Sequence, residues 1–184
     1  MYELAMMSHI AGTIVLFVGL ALVWGLLVAA LRAAQVSQVR RIASLLGKAD
    51  LLLPLGAGLL LLSGLYMLFT LWGWDTGWAV VSLAGLLAIA PLVPLLIVRN
   101  LAILEQMVVS LPAGKVPPSL DHARYNPALW LGLCLLTATS LSLLYLMVTK
   151  PATPTAVMIL VSAIGVRAVV TLPLWRRRAP QGAL

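Results

Sequence analysis

Five stretches of the chain, residues 9–31, 51–72, 78–98, 128–148 and 155–175, are apolar for about 21–23 residues each, and only Arg167 interrupts one of them with a charge. At a rise of about 1.5 Å per residue, each is long enough to cross roughly 30 Å of hydrocarbon as an α-helix. A peptide in lipid has no water to satisfy its N–H and C=O groups, so such stretches must form helices. The expected architecture is therefore all-α, a single membrane domain built as a five-transmembrane-helix bundle. With 62% apolar and 9% charged residues in a 184-residue chain, no water-soluble core of this size would hide the apolar surface.

Lysines and arginines predict the orientation. Ten of them, Arg32, Arg40, Arg41, Lys48, Arg99, Lys115, Arg124, Arg176, Arg177 and Arg178, fall in segments on one side of the predicted bilayer, and Lys150 alone falls on the other. By the positive-inside rule the bundle is N-out and C-in, as expected of a multi-pass protein of the bacterial cytoplasmic (inner) membrane. Only Glu3 is charged before the first run, without the basic segment of a secretory signal, so the first run reads as a retained helix. The net charge of +7 follows from these flanks and argues for anionic lipid rather than nucleic acid as the partner.

Aromatic residues agree with the spans: Tyr66, Trp72, Trp74, Trp78 and Tyr145 fall near the outer interface, and Tyr125, Trp130 and Trp175 near the inner one. The longest loop follows the third run. Apolar residues at Leu101, Leu104, Val108 and Leu111 predict that the third helix continues past the membrane or lies on its surface, until Pro112 to Pro118 ends it. Pro91 and Pro94 predict a kink inside the third run. Ser8, Gly12, Gly19, Gly56, Gly64, Ala84 and Ala88 are small enough to let helices approach closely.

Ionisable groups inside a membrane are costly and mark structural clamps or functional sites. Arg167, nine residues before Arg176, is about 13 Å deep by helical rise. Its expected partner is Asp50 or Glu105, in an ion pair that clamps the fifth helix to the second or third, with binding of an anionic group as the other reading. Asp50 also stands where an N-cap of the second helix would be.

His9 enters the first run near its outer end. Met6 precedes it by three residues, on the same helix face, and Met67, Met147 and Met158 map to the outer ends of the second, fourth and fifth helices. A thioether beside an imidazole suits Cu(I), and a His/Met pair can also ligate a b-type haem. The competing reading is that methionine simply fills gaps and faces lipid. His122, in the inner loop, is too far from His9 for both to ligate one haem. The sequence has no Walker loop, no dinucleotide glycine pattern and no His-Glu-x-x-His motif, so it does not decide whether the chain is an enzyme.

The string from His9 through Gly12 and Gly19 to Leu20, followed by Arg32, resembles the first helix of copper-resistance D membrane proteins and of HemJ-type protoporphyrinogen oxidases. It is more similar to an uncharacterised family of predicted bacterial integral membrane proteins. In the HemJ type the corresponding histidine is associated with haem, and that role carries over to His9 alone, since no lysine lies inside any run here to match the one on which that type relies. The resemblance thus implies haem b at His9, while the residues themselves point to haem b or copper near the outer leaflet, with His9 and Met6 as metal ligands and Met67, Met147 or Met158 as further cofactor-binding partners. Two other functions fit the same runs: a structural or assembly subunit of a larger membrane complex or homo-oligomer, and a small transporter working through the kinked third helix and Arg167.

Overall fold

The computed structural model describes the backbone of residues 2–176 and the side chains of residues 2–165. Within these the chain is helical throughout, with a single isolated bridge between Gln35 and Lys115. In order the helices are α1 (Tyr2–Arg32), α2 (Val36–Ala49), α3 (Leu52–Met67), α4 (Gly77–Ile89), α5 (Arg99–Ser110), α6 (Pro118–Arg124), α7 (Pro127–Thr149) and α8 (Thr153–Arg176). Single π-helical stretches extend α3 over Leu68–Trp72 and precede α5 over Pro94–Val98.

Four helical rods are long and apolar enough to cross a membrane: Tyr2–Arg32, Val36–Trp72, Gly77–Ser110 and Pro118–Thr149. α8 adds the shorter apolar stretch Thr153–Gly165. The rods run up and down in chain order, so that α1 lies against α2 and α3, α2 against α5, and α7 against α4, α5 and α8.

Two rods outrun the apolar stretches that announce them. The second begins at Val36, well before Leu51, and the third continues to Ser110. Asp50 does not cap a new helix: it ends α2 in the right-handed helical region, at φ −61° and ψ −29°, and Leu51 keeps the same region at φ −64° and ψ −23°. The helix can persist outside the apolar run because α2 is amphipathic. Val36, Val39, Ala43, Leu46 and Ala49 form one buried stripe, and α5 supplies Leu101, Leu104 and Val108 as its buried partners. A rod of 37 residues is about 55 Å long, so one end of the bundle projects beyond any bilayer.

Glycine sets the closest crossing. A Cβ on Gly56 would lie 2.6 Å from the Leu16 nitrogen, one on Gly12 2.9 Å from Leu59 Cβ, and one on Gly19 2.9 Å from Leu52 Cβ. Apolar tails gain nothing by leaving lipid for other tails, so α1 and α3 hold together through this close backbone packing. Ser8, Ala84 and Ala88, also small, are exposed and take no part. Gly132 plays the corresponding role on α7, where a Cβ would lie 2.6 Å from Leu96 Cβ in the π stretch behind Pro94.

The projecting end collects the basic residues, and two arginines there serve the helices themselves. Arg40 donates from Nε and Nη2 to Val108 O, at 3.3 and 3.2 Å, and from Nη2 to Leu111 O at 2.7 Å, closing the end of α5. Arg124, only 4% exposed, donates to the carbonyls of Ala30 and Ala33 at the end of α1 and pairs with Asp121. A cation at a helix C-terminus satisfies open carbonyls and opposes the negative end of the dipole. Trp130 donates to the Arg124 carbonyl at 3.0 Å and packs at a tilt against Trp24, with ring centroids 5.5 Å apart.

Candidate functional site

At the opposite end, His9 lies two turns into α1 and is 8% exposed. Its ring packs against α3 beside Gly64, where a Cβ would be in ordinary contact with it, 3.4 Å from His9 Cε1. Nδ1 is 2.9 Å from Ser63 Oγ, and Nε2 is 3.3 Å from Met147 Sδ on α7.

The bond Ser63 makes to α3 favours one placement of the ring proton. Ser63 has one hydroxyl hydrogen and donates it to the Leu59 carbonyl. Its oxygen is then an acceptor toward His9, so Nδ1 donates and Nε2 of the neutral ring keeps its lone pair. That lone pair faces a thioether, which has no hydrogen to give. Two Lewis bases therefore converge across 3.3 Å. In the other tautomer Nε2–H would donate to Sδ, and Ser63 would have to release Leu59 to serve Nδ1.

Of the methionines named from the sequence, Met147 is the one brought to the ring. Met6 is partly buried one turn away on α1; Met67 is fully buried on α3, one turn beyond Ser63; Met158 is 61% exposed on α8. Neither Met6, Met67 nor Met158 makes a polar contact with His9 among the described residues. His122 is exposed on α6, at the other end of the bundle.

Beside His9 an apolar cleft with about 710 Å³ of empty space, its open mouth included, runs between α1, α3, α4 and α7. His9, Thr13, Phe17, Trp72, Trp78 and Ser140 are among its lining residues. Trp72 and Trp78 pack at 5.0 Å, and Lys150 Nζ sits 5.9 Å from the centre of the Trp78 ring.

Two of the three residues named for an ion pair lie among the described side chains. Asp50 and Glu105 line one hollow between α2 and α5 at the basic end, where Asp50 Oδ1 is buried with no hydrogen-bond partner among the described residues. The Arg167 side chain lies outside the described residues.

Ser63 and Ser140 are residues that the sequence reading did not single out, and Arg124 was read there only as one charge of the basic flanks. The available signal was a hydroxyl within an apolar run, on the same α3 stretch that carries the packing glycines. Among the described residues no three His, Cys, Asp or Glu side chains gather as hard or borderline metal ligands do. Any metal held near His9 would therefore rest on imidazole and thioether donors, a soft set.

No curated protein and no solved structure matches the chain. A family described as predicted integral membrane protein, DUF2269, matches residues 3–151, which takes in the first four rods together with His9, Ser63 and Met147. The chain belongs to this family of integral membrane proteins.

Proposed function

We propose that the protein is a metal- or haem-binding protein of the bacterial cytoplasmic membrane, with five spanning helices, its N-terminus outside and its site near the outer leaflet. The observation that carries this reading is the approach of His9 Nε2 to Met147 Sδ at 3.3 Å, with Ser63 holding the far side of the ring. Both atoms are close enough to bind one ion, and a thioether with a neutral imidazole favours Cu(I) over harder cations. The hydrogen bond at Nδ1 is the kind of outer support that fixes the tautomer of a metal-binding histidine.

Haem b is the second reading, favoured by the cleft. A porphyrin does not fit between two atoms 3.3 Å apart, so haem would take His9 as an axial ligand from the cleft side, with Met147 displaced. The orientation follows the basic residues: Arg32, Arg41, Lys48, Arg99 and Lys115 are exposed at the projecting end, and Lys150 lies at the His9 end.

The test is the purified protein in detergent. Elemental analysis and competition with a Cu(I)-selective chelator should show about one copper per chain, lost in His9→Ala and Met147→Leu. A Soret band that shifts with dithionite would select haem instead. Absence of both, with His9→Ala indistinguishable from wild type, overturns the proposal.

A further inference from the structure

Three hydroxyls line the cleft beside His9, and two of them are spoken for. Thr13 donates to the His9 carbonyl at 3.0 Å and Ser82 to the Trp78 carbonyl at 2.8 Å, the i−4 bond that hydroxyls in apolar helices ordinarily make. Ser140 is 5% exposed and has no hydrogen-bond partner among the described residues. On the same helix Thr137 and Ser142 bond the carbonyls of Leu133 and Ala138 in the ordinary way, whereas Thr139 Oγ1, outside the cleft lining, is buried with no partner among the described residues. Lining the cleft without an intramolecular bond among the described residues, the Ser140 hydroxyl is available to donate to an acceptor there.

The position of Ser140 separates it from the metal-binding pair. Ser140 and Met147 are seven residues apart on one face of α7, about 10 Å along its axis. The contacts of His9 with Met147 and of Trp24 with Thr137 fix α1 antiparallel to α7, which brings Ser140 level with Phe17. The deep part of the cleft thus offers one hydroxyl donor beside an aromatic ring, and the remaining walls are the leucines of α1, α3, α4 and α7.

We propose that this cleft binds an uncharged, ring-headed lipid of the quinone class, entering sideways from the bilayer, with a ring carbonyl accepting from Ser140 Oγ and the ring against Phe17. A charged head would find no counter-charge among the lining residues, and a plain hydrocarbon would leave the Ser140 hydroxyl unpaired. An aromatic ring adds packing with Phe17 that a single chain does not. The proposal uses Ser140 and Phe17, about two helical turns from His9 and Met147, which line the same cleft.

The experiment titrates the intact protein in lipid nanodiscs with a decyl-substituted benzoquinone and reads quenching of tryptophan fluorescence, since Trp72 and Trp78 line the same cleft. Saturable quenching is expected, weakened about tenfold in Ser140→Ala, as fits the loss of one hydrogen bond. Ser140→Thr, which keeps the hydroxyl, should restore part of the affinity and controls for folding. Decylbenzene, with a ring and no oxygen and itself no quencher, should compete with the quinone more effectively in Ser140→Ala than in wild type, because only the quinone loses a hydrogen bond there. Quenching that never saturates, or an identical curve in Ser140→Ala, overturns the proposal, as does finding the cleft already filled by haem. Copper retention is unaffected by Ser140→Ala, so failure here and failure of the metal reading are read independently.

Discussion

The backbone of Leu16 on α1 runs directly against Gly56 on α3, so closely that a methyl group on Gly56 would stand 2.6 Å from the Leu16 nitrogen and 2.8 Å from its Cα. Both obstacles are backbone atoms, which no rotamer change can move. Gly56→Ala is therefore expected to push the two helices apart and destabilise the fold by about 1–3 kcal/mol, the usual cost of overpacking. Gly58→Ala, where a Cβ meets nothing within 4 Å, is the matched control. Denaturation of the two variants in mixed micelles measures the difference.

Ser63 acts on the proposed metal through His9. Ser63→Ala removes the acceptor at Nδ1 and the bond that ties the ring to α3, while leaving Nε2 and Met147 in place. Metal affinity should fall about 10- to 100-fold, the range found for outer partners of ligating histidines. Ser63→Thr, which keeps the hydroxyl, should recover much of it. An unchanged dissociation constant in Ser63→Ala would remove the serine from the site.

Arg124 is the buried cation that joins α6 to the end of α1. Arg124→Ala leaves the Ala30 and Ala33 carbonyls without their donor and Asp121 without its partner, and should cost about 2–4 kcal/mol. Asp121 is 49% exposed on its side chain, so Asp121→Ala should cost well under half of that. Comparative unfolding of the two variants checks the asymmetry; equal losses would mean that the ion pair, and not the helix end, is what matters.

The proposed orientation makes a labelling prediction. In a Cys134→Ala background, Asp75→Cys at the His9 end should react with a membrane-impermeant maleimide in intact cells. Lys115→Cys, in the loop at the basic end, should react only after permeabilisation. The reverse pattern would invert the bundle and move the proposed site to the cytoplasmic leaflet.

Much of the framework was legible before any tertiary structure. The runs beginning at His9, Leu51, Trp78 and Ala128 all became rods, and the continuation of the third helix through Leu101, Leu104 and Val108 was written in its periodicity. Less visible was the start of the second rod at Val36. Arg40, Arg41 and Lys48 lower the hydropathy of α2, and Asp50 looks like a cap, so the stretch reads as a flank. Only the presence of α5 against the Val36, Val39, Ala43 and Leu46 stripe makes a helix there stable.

The candidate site divides in the same way. His9 was identifiable as the one histidine inside an apolar run, and Met67, Met147 and Met158 as thioethers at about its depth. Depth follows from counting residues, because every helical residue advances about 1.5 Å whatever surrounds it. Which methionine faces the ring is a matter of how each helix is rotated, and that is set by packing: Gly12 and Gly56 draw α1 onto α3, and α7 turns Met147 inward while Met158 faces outward on α8. The sequence by itself determined that this chain is a bundle of long apolar helices with a histidine near one end, because lipid leaves the backbone no alternative. Tertiary structure alone chose Met147, Ser63 and Ser140 as the neighbours that give that end its chemistry, because rotation about a helix axis is fixed only by what the helix packs against.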